Sequence, residues 1–278
     1  MQIQDLEKEL GIQLLERGRK GVSLTPGGRE IAERATRVLA DVNDLIDSAR
    51  QLAGSFSGTL RFGAIPSIAP YLLPQLLPLI RATYPDLDLQ LRETQTQKLL
   101  VELVDGQLDV VLLALPVEHA GIETKPLFDD RFLLALPASR KISGSPRATP
   151  DLLRNDRLLL LEEGHCLRDQ ALAFCDLRKV ESIDMFGASS RSTIGQMVSN
   201  GLGLTLLPEL SLDLETKRAD IRIMRFPDPE PQPVVGLAWR QTSPRKRDFA
   251  ALGDLIVEAA GLGKTRNPVP SPRLRGEG

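Results

Sequence analysis

The run LDVVLLAL, residues 108–115, has one polar residue, Asp109, among eight. A strand with one wet face alternates apolar and polar side chains. An almost unbroken apolar strand must be covered on both faces, as in sheets layered between helices. Its surroundings supply those layers. GTLRFGAIP and LDLQLRE read as strands, PYLLPQLLPLIRATYP and QKLLVELVDGQ as helices, in alternation from Gly58 onward. This predicts an α/β fold. A second unit is expected from near Thr149: a strand at RLLLLE, a helix from Cys166, a strand near IDMFGA, a helix at STIGQMVSN and a strand at LGLTLLP. VVGLAWR reads as a later strand and RDFAALGDLIVEAAG as a closing helix. Two α/β units flank a cleft suited to a small ligand.

The first 57 residues follow another pattern. Residues 2–10 read as a short helix closed by Gly11. IQLLERGRKGVSLT reads as strand, turn and strand, with Arg17, Arg19 and Lys20 at the tip. Thr25-Pro26 is a helix cap followed by proline at the first helical position. In the helix to about Ala53, Ile31, Ala35, Val38, Val42, Leu45, Ala49 and Leu52 form a heptad seam that calls for a partner helix. Gly54-Ser55 and Ser57-Gly58 form a linker. The Pro- and Arg-rich stretch from Lys264 is expected to be disordered. Four segments result: 1–25, 26–57, 58–263 and 264–278.

A net charge of −2 excludes nucleic-acid binding through bulk positive charge and leaves only a local basic patch for that role. No apolar run reaches the ~18 residues of a membrane span. The polar N-terminus is unlike a signal peptide, which points to the reducing cytoplasm. Two cysteines there are inert core residues, metal ligands or redox groups. Both lie in GHCLRDQALAFC, residues 164–175. His165 adjoins Cys166, and the only other histidine, His119, is far along the chain. No multi-ligand metal spacing appears, and no metal or cofactor is expected. Ala171, Leu172 and Cys175 share a helix face, so Cys175 also fits a core position.

QIQDLEKELGIQLLER followed by SLTPGG resembles the LysR-type transcriptional regulators, over about residues 1–260. GHCLRDQ resembles their peroxide-sensing branch, and AIPSIAPYLLP, TQTQKLL and GLGLTLLP resemble segments found there. The resemblance implies a remnant winged helix, a long dimerising linker helix and a two-lobed regulatory domain of the periplasmic-binding-protein-like type 2 fold. Gln2, Arg17, Arg19 and Lys20 would contact promoter DNA. Partners would be hydrogen peroxide, a second copy in a homodimer or homotetramer, and a glutaredoxin or thioredoxin reductant. Set against such regulators, the chain begins inside the recognition helix, and a misassigned start is the favoured explanation. Asp5, Glu7 and Glu9 would repel phosphate. Residues 1–50 carry eight Lys or Arg against nine Asp or Glu, so weak operator binding is expected. An arginine expected near the reactive cysteine is replaced by Pro233, leaving Arg168 or Arg191 to substitute.

The resemblance assigns Cys166 as the peroxide-reactive thiol and Cys175 as its resolving partner. Thiolate, not thiol, attacks peroxide. Cys166 opens a helix, whose free N–H groups favour the anion. Arg168 and protonated His165 would act the same way. Ser67 and Thr96 are nominated to bind peroxide through their hydroxyls, with Asp169 handling protons. On position alone, helix capping suits Ser67 and Thr96 equally. Nine residues of helix rise by about 13 Å, whereas a disulfide tolerates Cα atoms at most about 7 Å apart. Bonding would therefore require unwinding. The alternatives are a LysR-type regulator answering to an organic effector in the cleft, a thiol peroxidase enzyme and a solute-binding protein. The first predicts a response independent of Cys166. The peroxidase leaves the heptad helix unexplained, and a solute-binding protein needs a signal peptide.

Overall fold

The computed structural model describes residues 2–18, 21–52, 56–141, 147–148, 152–153, 156–164, 166–177, 183–188 and 190–261. Arg19, Lys20, Gly54-Ser55, His165 and the tail from Lys264 lie outside them, as do the side chains of Leu52, Cys166 and Cys175.

Helix α1 (Gln2–Leu10) leads into a hairpin of β1 (Leu15–Gly18) and β2 (Gly21–Leu24), then into α2 (Pro26–Leu52). Thr25 starts α2 as its sequence predicts. Its hydroxyl accepts from the Gly28 amide at 2.8 Å and donates to the Gln13 carbonyl at 2.7 Å. Gly28 is needed here because a Cβ would lie 2.0 Å from the Leu14 carbonyl oxygen. Gly28→Ala is expected to push the hairpin off the helix, at a cost of about 1–3 kcal/mol. Faster amide exchange over residues 14–24 would register the change.

The first lobe holds β3 (Gly58–Ala64), α3 (Ala69–Thr83), β4 (Leu87–Glu93), α4 (Thr96–Val104), β5 (Val110–Leu115) and β6 (Ile122–Asp129). The chain then crosses to β7 (Phe132–Pro137), β8 (Leu158–Leu161), α5 (Cys166–Leu177), β9 (Ile183–Ala188), α6 (Arg191–Ser199), β10 (Thr205–Pro208), α7 (Leu212–Arg218) and β11 (Ile221–Met224). It returns as β12 (Val234–Arg240) and α8 (Lys246–Ala259). The first sheet has the order β4-β3-β5-β12-β6, with β3 parallel to β4 and β5, and β12 antiparallel to β5 and β6. All six residues of β5 are buried, as LDVVLLAL requires.

The second lobe differs from the sequence expectation. It begins at β7, not near Thr149, and β12 and α8 belong to the first lobe. FLLALP is buried on both faces because Phe132, Leu134 and Leu136 join the main core while Leu133 and Ala135 pack with Leu207 and Leu212; β7 is the middle strand of β10-β7-β11, and both its partners lie far downstream. Local pattern does not reveal that pairing. The parallel pair β8-β9 joins β10 through a bridge from Leu158 to Leu204.

Helix α2 docks on the first lobe by its small and polar face. Ala40 sits against Gly106, whose φ is +70°, and a Cβ there would lie 2.4 Å from that of Ala40. The Arg240 guanidinium binds Asp44 at 2.8 Å and also donates to the carbonyls of Leu103 and Leu108. The heptad seam faces outward: Val38, Val42 and Leu45 are 60%, 47% and 71% exposed.

Candidate functional site

The Gln95 loop of the first lobe meets the chain entering α5, and Leu115 at the end of β5 meets Gln170 in its first turns. Ser67 precedes α3 and Thr96 is the first residue of α4. Both are buried, and both hydroxyls lack a hydrogen-bond partner among the described residues. The caps of α3 and α4 are Ile68 and Gln95, and neither helix has a side-chain cap. Capping, the alternative role for these hydroxyls, is therefore not what they do. A buried, unsatisfied hydroxyl is costly and calls for a partner beyond the described residues.

Cys166 is the first residue of α5 and Cys175 its tenth, on one continuous helix. Phe174 packs edge-on against Phe226 with centroids 5.0 Å apart, and Ala171 is buried beside β8. Asp169 is exposed on the first turn. Arg168 and Arg191 line one small cavity with Leu160, Leu161, Ala171 and Thr205.

Among the described residues, side-chain hydrogen bonds cross between the lobes at four places around this point. Gln95 donates to the Glu163 carbonyl at 3.2 Å. Gln170 donates to the Leu115 carbonyl at 2.8 Å. Arg191 donates to the Ser67 carbonyl at 2.6 Å. Tyr71 donates to Glu215 at 2.7 Å. Arg191 is buried, and its guanidinium carbon stands 5.5 Å from the centre of the Tyr71 ring. Burial lowers the Arg191 pKa, while Tyr71, Asp130 and Glu215 pull it back up. Burial raises the Tyr71 phenol well above its usual range, and the hydrogen bond to Glu215 adds to the rise. Ser67, Tyr71, Arg191, Ser192 and Glu215 border an inter-lobe cleft of about 270 Å³.

Pro233 is buried at the crossover, its carbonyl accepting from the Asp130 amide at 2.8 Å. The next residue, Val234, pairs with Leu115, the residue whose carbonyl Gln170 reaches. Arg191 reaches the site from the second lobe, through the Ser67 loop. Sequence reading missed Gln95, Gln170, Tyr71 and Glu215 as individual residues. Gln95 adjoins Thr96 and Gln170 lies within GHCLRDQ, so adjacency was the available signal. For Tyr71 and Glu215 nothing local marks the pairing.

At the other end of the chain, Gln2 and Arg17 are exposed on α1 and β1. Glu7, one of three carboxylates read as repelling phosphate, folds back and accepts from the Leu14 and Leu15 amides at 2.7 and 3.0 Å. Those bonds hold its pKa below the usual value, with Arg17 adding a smaller pull.

A two-lobed α/β domain behind a long helix and hairpin defines a class of regulator, and comparison with known proteins agrees. The profile of the LysR substrate binding domain matches residues 53–261, and that of the bacterial regulatory helix-turn-helix protein, lysR family, matches residues 1–29. The chain belongs to the LysR family of transcriptional regulators. Within it, the chain is closely related to the hydrogen peroxide-inducible genes activators. It is 43% identical to a probable hydrogen peroxide-inducible genes activator of Streptomyces viridosporus, over 91% of this chain and 82% of that protein. It is 39% identical to the DNA-binding transcriptional dual regulator OxyR of Escherichia coli K12, over 92% and 84%. A full-length OxyR variant from Pseudomonas aeruginosa superposes with a TM-score of 0.75 at 36% identity, covering 92% of this chain and 83% of that one. A hydrogen peroxide-bound cysteine-to-serine mutant of Corynebacterium glutamicum OxyR gives 0.74 at 33% identity, covering 94% and 82%. Among the described residues, no helix is long and apolar enough to cross a membrane, and no cluster of metal-ligating side chains occurs.

Proposed function

We propose that this chain is a peroxide-sensing, DNA-binding transcription regulator of the cytoplasm, switched by an intramolecular disulfide between Cys166 and Cys175. The observation that carries the reading is the continuity of α5 across both cysteines. Nine residues of α-helix separate them by about 13 Å, and a disulfide needs their Cα atoms within about 7 Å. The bond and the helix are mutually exclusive, so oxidation selects a second conformation.

The Cys166 thiolate attacks one peroxide oxygen, the O–O bond breaks, and hydroxide leaves and takes up a proton. Cys166 is then a sulfenic acid. The Cys175 thiolate attacks that sulfur, the S–O bond breaks, and the second oxygen leaves as water after protonation. Two thiols and one peroxide give one disulfide and two waters. A dithiol reductant of the glutaredoxin or thioredoxin class restores the thiols. The hydroxyls of Ser67 and Thr96, unsatisfied among the described residues, support their assignment as peroxide donors and acceptors, with His165 as a further peroxide-binding residue that favours the thiolate and Asp169 handling protons. Gln2, Arg17, Arg19 and Lys20 are assigned to promoter DNA. The outward seam of α2 suits pairing with a second copy, in a homodimer or homotetramer.

The inter-lobe cleft, bordered by the buried and incompletely paired carboxylate of Glu215, favours a second reading. There a small organic effector acts independently of the cysteines.

Intact mass and peptide mapping of reduced protein given one equivalent of hydrogen peroxide test the proposal. Loss of two hydrogens with Cys166 and Cys175 in one linked peptide is expected. Two unmodified thiols would favour the effector reading. In Cys175→Ser, a sulfenic acid should remain on Cys166 and react with a dimedone-type label. Absence of label would refute the order of steps.

A further inference from the structure

The structure assigns Gln95 as a positioning residue for peroxide attack at Cys166: its side chain locks the Glu163–Gly164 segment of the second lobe against the Thr96 loop of the first. The assignment rests on the function proposed above and adds a residue to that site.

Three observations support it. Gln95 caps α4 through its backbone, its carbonyl accepting from the Leu99 amide at 3.1 Å, and so is fixed to the element that carries Thr96. Its side chain leaves that lobe and donates to the Glu163 carbonyl, three residues before Cys166. Its carboxamide also lies flat on Gly164. A Cβ at 164 would come within 2.8 Å of both Cδ and Oε1 of Gln95, and within 2.9 Å of Nε2. Gly164 has φ of +91°, so the segment is both left-handed and in close contact at the point Gln95 covers. One side chain therefore sets the spacing between the unsatisfied Thr96 hydroxyl and the chain entering Cys166. Gln95 bears no charge and does not itself change the thiolate's electrostatics. Its contribution is alignment of peroxide between hydroxyl and sulfur, where misplacement by about 1 Å costs on the order of 100-fold in rate.

That separation of roles sets the test. Reduced full-length protein, Gln95→Ala, Gln95→Glu and Gly164→Ala are compared by stopped flow with hydrogen peroxide. In parallel, each is alkylated with iodoacetamide across a pH series. Gln95→Ala is expected to slow peroxide oxidation about 10- to 100-fold while leaving the alkylation rate and its pH midpoint unchanged. Gln95→Glu keeps the shape but loses the donor, and should be slowed too. Gly164→Ala should reproduce the loss with Gln95 intact. Peroxide oxidation of Gln95→Ala at the parent rate would overturn the assignment. So would an equal fall in peroxide and alkylation rates, since that marks general loss of the thiolate site. If the parent protein itself leaves Cys166 unoxidised, the proposed function fails first and this assignment with it.

Discussion

Cys166→Ser will no longer respond to hydrogen peroxide, and its remaining cysteine will oxidise about 10²- to 10⁴-fold more slowly than Cys166 does in the parent. An alcohol is scarcely ionised at neutral pH and does not attack peroxide. Cys175 cannot take over the role, because it lies nine residues inside α5, where the preceding turn already uses the amides that are free at Cys166. Peroxide-dependent change in proteolysis of the 162–177 segment should vanish together with the disulfide. The thiol-to-alcohol exchange is nearly isosteric, so the reduced fold should be retained and the melting temperature little altered. A peroxide-dependent change surviving in Cys166→Ser would place sensing elsewhere in the chain.

Glu230→Gln will lower stability by about 3 kcal/mol, a fall in melting temperature of about 6–12 °C. The Glu230 side chain is 1% exposed and receives three arginines. Arg225 binds it in a two-pronged pair at 2.9 and 2.8 Å, Arg131 at 3.0 Å and Arg147 at 3.3 Å. The substitution keeps the shape and removes the charge, leaving mutually repelling guanidinium groups around a neutral amide. The hydrogen bond from Arg225 is the largest influence holding the Glu230 carboxyl below its usual pKa, with Coulombic help from Arg225 and Arg131. A depressed carboxyl stabilises the fold above its unfolded value, about 4.3. That stabilisation is lost as pH falls through the folded value. The two proteins should therefore differ most near neutrality and converge in acid, as thermal melts at a series of pH values would show. Equal melting temperatures at pH 7 would mean the arginines are satisfied by water instead. The cluster joins residues 131 and 225–230, on the two crossings between lobes, so its loss should also loosen those crossings.

Where function was legible in the sequence, it was carried by short segments whose physics is local. LDVVLLAL announced a strand buried on both faces, and Thr25 announced a cap. The cysteine spacing announced a conflict between a helix and a covalent bond. FLLALP met the same test of double burial but has no local partner, since β10 and β11 reach it only after the second lobe has closed. The second lobe's true start and the return of β12 to the first sheet were hidden for that reason. The inter-lobe bonds of Gln95, Tyr71 and Arg191 were hidden likewise. Each joins residues 68 to 144 positions apart, and no periodicity records such a meeting.

The way α2 is fastened makes it a lever with a short and a long arm. Its holds on the first lobe, at Ala40, Asp44 and Asp47, lie in its second half. From Asp44 back to Pro26 the helix runs about 27 Å. A tilt of about 10° at the Asp44 hold would swing the hairpin end through about 5 Å, more than the ~3.4 Å between successive base pairs. A shift at Arg240, on the strand paired with β5, whose Leu115 carbonyl holds Gln170 of the Cys166 helix, would therefore reach the hairpin end enlarged.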